Sequence, residues 1–140
     1  MARHAARSSI YAPLRVLIYS SDANLRLRIR QVLGRYPDTA MAPLDFVDTA
    51  TAPAVVQEMA AERIDLAILD AEASPAGGLG LAKQLRDELL QHTPIVVIIA
   101  RADDNWLTAW ARADAVVTQP IRPVALLDAV LPLLRTRLVG

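Results

Sequence analysis

Side chains able to do chemistry gather just behind the apolar runs of this chain. Ser20, Ser21 and Asp22 follow LRVLIY at 14–19, and Asp48 and Thr49 follow a weaker run beginning at Leu44. Asp70 and Glu72 follow DLAIL at 65–69, with Gly77 and Gly78 a few residues on. Thr118, Gln119 and Pro120 close AVV. Ser20 or Ser21 as a nucleophile would need a histidine or lysine base nearby. The two histidines, His4 and His92, lie far apart, and the single lysine, Lys83, sits mid-chain away from every such group. Hydroxyls that satisfy loop backbone groups are the better reading of these serines. Gly77 and Gly78 suit a turn into a helix more than a phosphate cradle, because no glycine-rich loop follows the first run. His92 is expected in a solvent-facing turn before Pro94 and not as a ligand. Cysteine is absent, which removes disulfides, thiolate nucleophiles and thiolate-ligated metals.

These groups need elements to hold them. Five short runs rich in Val, Ile and Leu are expected as strands, at 14–19, 44–48, 65–69, 95–100 and 115–118. Three are nearly continuous in apolar residues, as strands covered on both faces are. Helical spacing lies between them. Leu25, Ile29, Val32 and Leu33 form one stripe, with Asp22 as cap and Gly34 and Pro37 as stop. Val55, Val56, Met59 and Ala60 form a second, and Leu79, Ala82, Leu85, Leu89 and Leu90 a third. A short fourth helix is expected from about Asp103 to Ala113. A fifth starts at Pro123 with Leu127, Val130, Leu131 and Leu134 inward, and Pro132 is expected to kink or shorten it. Strand–helix alternation five times over implies an α/β, doubly wound, three-layer sandwich around a parallel sheet. Functional groups then belong outside the carboxyl ends of the strands.

The 140 residues fit one domain, expected at 13–140 behind a flexible tail at 1–12. Fifteen basic residues balance fifteen acidic ones, so no bulk charge draws the chain to nucleic acid or anionic lipid. No segment approaches the roughly 18 apolar residues of a membrane helix. The N-terminus also lacks a signal-peptide core. A soluble, cytoplasmic protein binding neither membrane nor nucleic acid is expected.

Two long segments resemble the receiver domain of bacterial response regulators, the CheY-like family. DLAILDAEASPAGGLGLAKQLR at 65–86 is similar to the family's third strand, phosphoacceptor loop and third helix. TPIVVIIAR at 93–101 and ADAVVTQPIRP at 113–123 are similar to its last two strands and proline-bearing loop. The closest likeness is to small actinobacterial receivers that stand alone, with no output domain. The resemblance implies a flavodoxin-like sheet of order 2-1-3-4-5 and a function in two-component, phosphorelay signal transduction. It puts the phosphoacceptor at Asp70. The acidic pair that helps hold Mg2+ falls on Ser20 and Ser21, with Asp22 next door. The hydroxyl residue of the fourth strand falls on Ile99, the charge-sensing lysine on Gln119, and the switching aromatic on Val116. One position in five keeps its family residue. The charge stabilisation on which phosphoryl transfer depends is mostly missing. No cofactor is expected, and the donors left for a weakly held Mg2+ are Asp70, Asp22 and Glu72. The resemblance also implies a cis peptide before Pro120.

Trp106 and Trp110, spaced i, i+4, share a helix face. They either plug the core beside the fifth strand or meet a partner, tryptophan being enriched at binding hot spots. In receivers the face of the fourth helix, fifth strand and fifth helix is the usual dimer and partner surface, which points to Trp106, Trp110, Val116, Val117 and Arg122. Arg26, Arg28 and Arg30 are an alternative docking face or plain solvated surface. The reading that results is an atypical, non-enzymatic receiver that docks protein partners, a histidine kinase or a regulatory target, independently of Mg2+ and phosphorylation. A phosphorylatable regulator accepting phosphoryl on Asp70 is the alternative. A flavodoxin-like nucleotide or flavin binder is a third, disfavoured by the absence of phosphate-binding glycines after the first strand.

Overall fold

The computed structural model describes residues 12–88, 92–102, 106, 109 and 111–139. Five strands, β1 (Leu14–Tyr19), β2 (Leu44–Thr49), β3 (Leu66–Asp70), β4 (Ile95–Ile99) and β5 (Ala115–Thr118), form one parallel sheet in the order β2-β1-β3-β4-β5. Four helices are described: α1 (Ala23–Leu33), α2 (Ala52–Ala61), α3 (Gly78–Glu88) and α4 (Pro123–Val139). The sheet is β-branched and apolar enough to bury both faces, and each face carries its own core. Val16, Ile18, Leu66, Ile68, Val96, Ile98 and Val117 pack under α1 and α4 with Ile29, Leu33, Leu126, Val130 and Leu134. Leu17, Tyr19, Ala67, Leu69, Val97 and Ile99 pack under α2 and α3 with Val55, Met59, Leu81, Ala82 and Leu85. Alternate residues of one strand thus feed opposite layers, as the period of two requires.

Local signals set the helix ends. Asp22 has extended backbone and its Oδ1 accepts the Asn24 N–H, capping α1. Gly34, at φ +63°, closes it with an N–H to the Arg30 carbonyl. Thr51 caps α2, its Oγ1 accepting the Ala54 N–H at 3.3 Å.

Several expectations change. β3 starts at Leu66, and Asp65 precedes it as a buried carboxylate. Leu126, not Leu127 or Leu131, leads the buried stripe of α4; Leu126, Val130 and Leu134 share one face, while Leu127 and Leu131 flank it. Leu81 joins the α3 stripe, and Ala60 of α2 is exposed. Pro132 does not shorten α4, which runs to Val139. Pro132 and Asp128, whose carbonyl the missing N–H would have served, are both exposed, so water can take that acceptor. Of the expected helix at 103–113, only Trp106 and Ala109 are described as helical, while 111–112 form a turn. Trp110, Leu89, Leu90 and most of the tail at 1–12 lie outside the described residues.

Candidate functional site

Parallel pairing brings the loops after β1, β3, β4 and β5 to one edge of the sheet. Asp70 ends β3 at the centre of that edge and is 4% exposed. Ser20, fully buried, follows β1, and its Oγ donates to Asp70 Oδ2 at 2.8 Å. The Glu72 N–H donates to Asp70 Oδ1 at 2.8 Å. Both carboxylate oxygens therefore hold a protein donor. The Asp22 N–H donates to Ser20 Oγ at 3.0 Å, fixing the direction of the serine hydroxyl. The Ser21 Oγ accepts the Ser74 N–H at 3.1 Å, tying the β1 loop to the β3 loop.

The other expected residues reach the same edge with less chemistry. Ile99 is 1% exposed, belongs to the α2–α3 core, and gives its carbonyl to the Gln119 N–H at 2.8 Å. Gln119 is half-buried, and the Gln119–Pro120 peptide is cis. A second cis peptide, Ser74–Pro75, lies in the β3 loop. Asp22 spends its carboxylate on the α1 cap, and both Asp22 and Glu72 are exposed. Among the described residues, no group of three or more His, Asp or Glu side chains converges as metal ligands.

Three further contributors shape the site, and one of them, Gly78, stands where the sequence placed a turn into a helix. Tyr19, the last residue of β1, is 1% exposed and donates its hydroxyl to the Ala76 carbonyl, so it clamps the β3–α3 loop from below. Burial, and then the Asp70 charge, raise its phenol above the ordinary value of 10.0, keeping it a donor. Stability from this shift is complete below about pH 10 and is lost as pH rises through the raised value. Arg26 donates to the Ser20 carbonyl and, with Arg30, pairs with Asp48 at the end of β2. The α1 arginines expected as a docking face are thus partly structural: two staple the helix to the sheet edge, and Arg28 reaches the Ile121 carbonyl at 3.5 Å. Gly78 supplies the third contribution. A Cβ there would sit 2.7 Å from the Asp70 carbonyl oxygen, and one at Gly77 2.6 Å from the Ala71 oxygen. These glycines let α3 start directly against the end of β3.

On the expected interaction face, Trp106 is 69% exposed and does not plug the core. Val117 is a correction: it is 3% exposed and points beneath α4, because strand alternation turns it inward. Val116 is half-buried on the opposite layer, and Arg122 is exposed. Val116, Gln119, Pro120, Arg122 and Ala125 line a shallow depression beside β5.

No family model matches the chain. Over 122 residues it is 47% identical to an uncharacterized response regulatory protein of Mycobacterium tuberculosis, found in two strains, covering 87% of this chain and 92% of that protein. Its fold is similar to that of a chemotaxis response regulator of Vibrio cholerae, with a TM-score of 0.74 and 17% identity over 87% of this chain and 99% of the other. It is equally similar to a CheY-like receiver domain protein of Methanospirillum hungatei, with a TM-score of 0.74 and 20% identity over 90% and 97% of the two chains.

Proposed function

The chain belongs to the response regulator receiver family of two-component signalling, and we propose that within this family it is an atypical receiver, a protein-docking module that works without Mg2+-dependent phosphorylation. The observation that carries this reading is the state of Asp70, whose two oxygens are taken by Ser20 Oγ and the Glu72 N–H. A hard divalent cation wants several oxygen ligands, mostly carboxylate, carbonyl or water. The donors present do not fit one: a serine stands at Ser20 and another at Ser21, and Asp22 is committed to its cap. An incoming phosphoryl group would meet Ile99, which offers no donor, and Gln119, which offers no charge. Charge-assisted bonds are about twice as strong as neutral ones, so transition-state stabilisation is weak here. Nucleotide or flavin binding is disfavoured on similar grounds, because the α1 N-terminus is already occupied by the Asp22 carboxylate. No described helix is long and apolar enough to cross a membrane.

Amide NMR of the full chain with Mg2+ and beryllofluoride tests this directly. The expected result is no saturable shift around Asp70. Saturable shifts there that vanish in Asp70→Asn establish the phosphorylatable alternative instead.

Docking would use the surface bearing Trp106 and Arg122 beside β5. An aromatic this exposed contributes little to folding, since surface substitutions usually stay within about 0.5 kcal/mol. Trp106→Ala is therefore expected to leave the melting temperature nearly unchanged while reducing self-association in sedimentation experiments. A collapse in stability without a separate association loss contradicts this use of the face.

A further inference from the structure

At the end of the sheet opposite Asp70, α4 returns Arg137 to the start of β3. There Asp65 is almost fully buried, and its Oδ2 accepts the Arg15 N–H at 2.8 Å. Its Oδ1 faces two guanidinium groups, Arg63 Nε at 2.8 Å and Arg137 Nε at 3.5 Å. The second of these distances is too long for a good hydrogen bond, and Arg137 Nε is a buried donor without a hydrogen-bond partner among the described residues. The Arg15 guanidinium does not share this carboxylate; it lies against Glu58 at 3.9 Å and Glu62 at 3.3 Å. Arg15 thus faces two glutamates, while Asp65 faces two guanidinium groups. Both approach Asp65 through Nε, and their terminal nitrogens have no acceptor among the described residues.

A cavity of about 240 Å³ opens beside these groups, lined by Glu62, Arg63, Ile64, His92, Thr93 and Arg137. We propose that this cavity binds a small oxyanion, a phosphate or a phosphate monoester, through the guanidinium groups of Arg63 and Arg137. The planar, permanently charged fork of arginine matches the oxygens of a phosphoryl group and can bond it bidentately. A bound oxyanion would supply acceptors to terminal guanidinium nitrogens that have no protein partner among the described residues. Glu62 at the rim is itself paired with Arg15 at 3.3 Å. The cavity has room for one phosphoryl group with a small substituent, not for a polymer. This site stands apart from Asp70 and does not depend on how that residue is used.

The test is an NMR titration of the full chain with sodium phosphate against sodium chloride at matched ionic strength, with glycerol phosphate as a further arm. Saturable shifts at Arg63, His92, Thr93 and Arg137 with phosphate but not chloride are expected. Glycerol phosphate binding as well identifies a monoester ligand, and its exclusion identifies the free ion. Arg63→Gln should weaken phosphate binding at least about tenfold, as the loss of a charge-assisted bond implies. Arg63 is largely exposed, so this variant should stay folded even if Arg137→Gln does not. Equal shifts with chloride, no response to phosphate, or unchanged affinity in a folded Arg63→Gln overturn the proposal.

Discussion

Asp65→Ala is expected to lower the unfolding free energy by about 3–5 kcal/mol, the usual cost of removing one partner from a buried charge pair. The carboxylate is 4% exposed at its side chain and holds the Arg15 N–H and the Arg63 Nε, with Arg137 beside it. Its removal strands a backbone donor at β1 and leaves the half-buried Arg137 facing an apolar hole. Arg63 contributes least to the loss, being mostly exposed. For a domain of this size the loss corresponds to a fall of roughly 10 °C in melting temperature. Asp65→Asn keeps an acceptor for the Arg15 N–H and gives up only the charge, so a smaller loss of about 1–2 kcal/mol is expected. Urea unfolding of the three proteins measures both values. Losses below about 1 kcal/mol in Asp65→Ala would show that the arginines find other partners at no cost.

Ser20→Asp should have the second large effect, and one that Mg2+ largely reverses. The substitution replaces a hydroxyl that donates to Asp70 with a carboxylate that cannot, at a site with no solvent exposure. In EDTA the two negative groups repel in a poorly screened environment, and a destabilisation on the order of 3 kcal/mol is expected. Mg2+ should reverse much of it, since the pair supplies the ligands that the native donor set lacks. Adding Gln119→Lys should then allow beryllofluoride to produce shifts at Asp70 that the native chain does not give. Thermal melts in EDTA and in Mg2+ read the first effect. If Mg2+ stabilises the native chain and the variant equally, Ser20 is not what keeps the metal out.

Much of this architecture was legible in the residues. β1 and β5 have the bounds that their apolar runs gave, because near-continuous Val, Ile and Leu between turn residues leaves little room for another structure. The sheet order followed from strand–helix alternation together with the family likeness. Details set by distant partners were not legible. Asp65 reads as a strand residue until Arg63 and Arg137 are seen on its carboxylate, and Arg137 lies far along the chain. Leu126 and Leu127 are equally apolar, so only the docked angle of α4 decides which is buried. Proximity of Ser20 to Asp70 could be inferred from neighbouring strand ends. That the hydroxyl spends its proton on the carboxylate could not, because a rotamer decides it. Arg26 and Arg30 looked like surface until Asp48 was found beneath them.

The close approach at Gly78 bears on how sequences of this kind are read. Any side chain there would strike the carbonyl of Asp70 itself, whatever Asp70 does chemically. A glycine eight positions after the aspartate is therefore demanded by steric fit between a strand and the helix that follows it. A chain can lose every group that handles a phosphoryl and still be unable to change this residue. The Asp-to-Gly spacing is a signature of the backbone path and carries no information on whether the switch still operates.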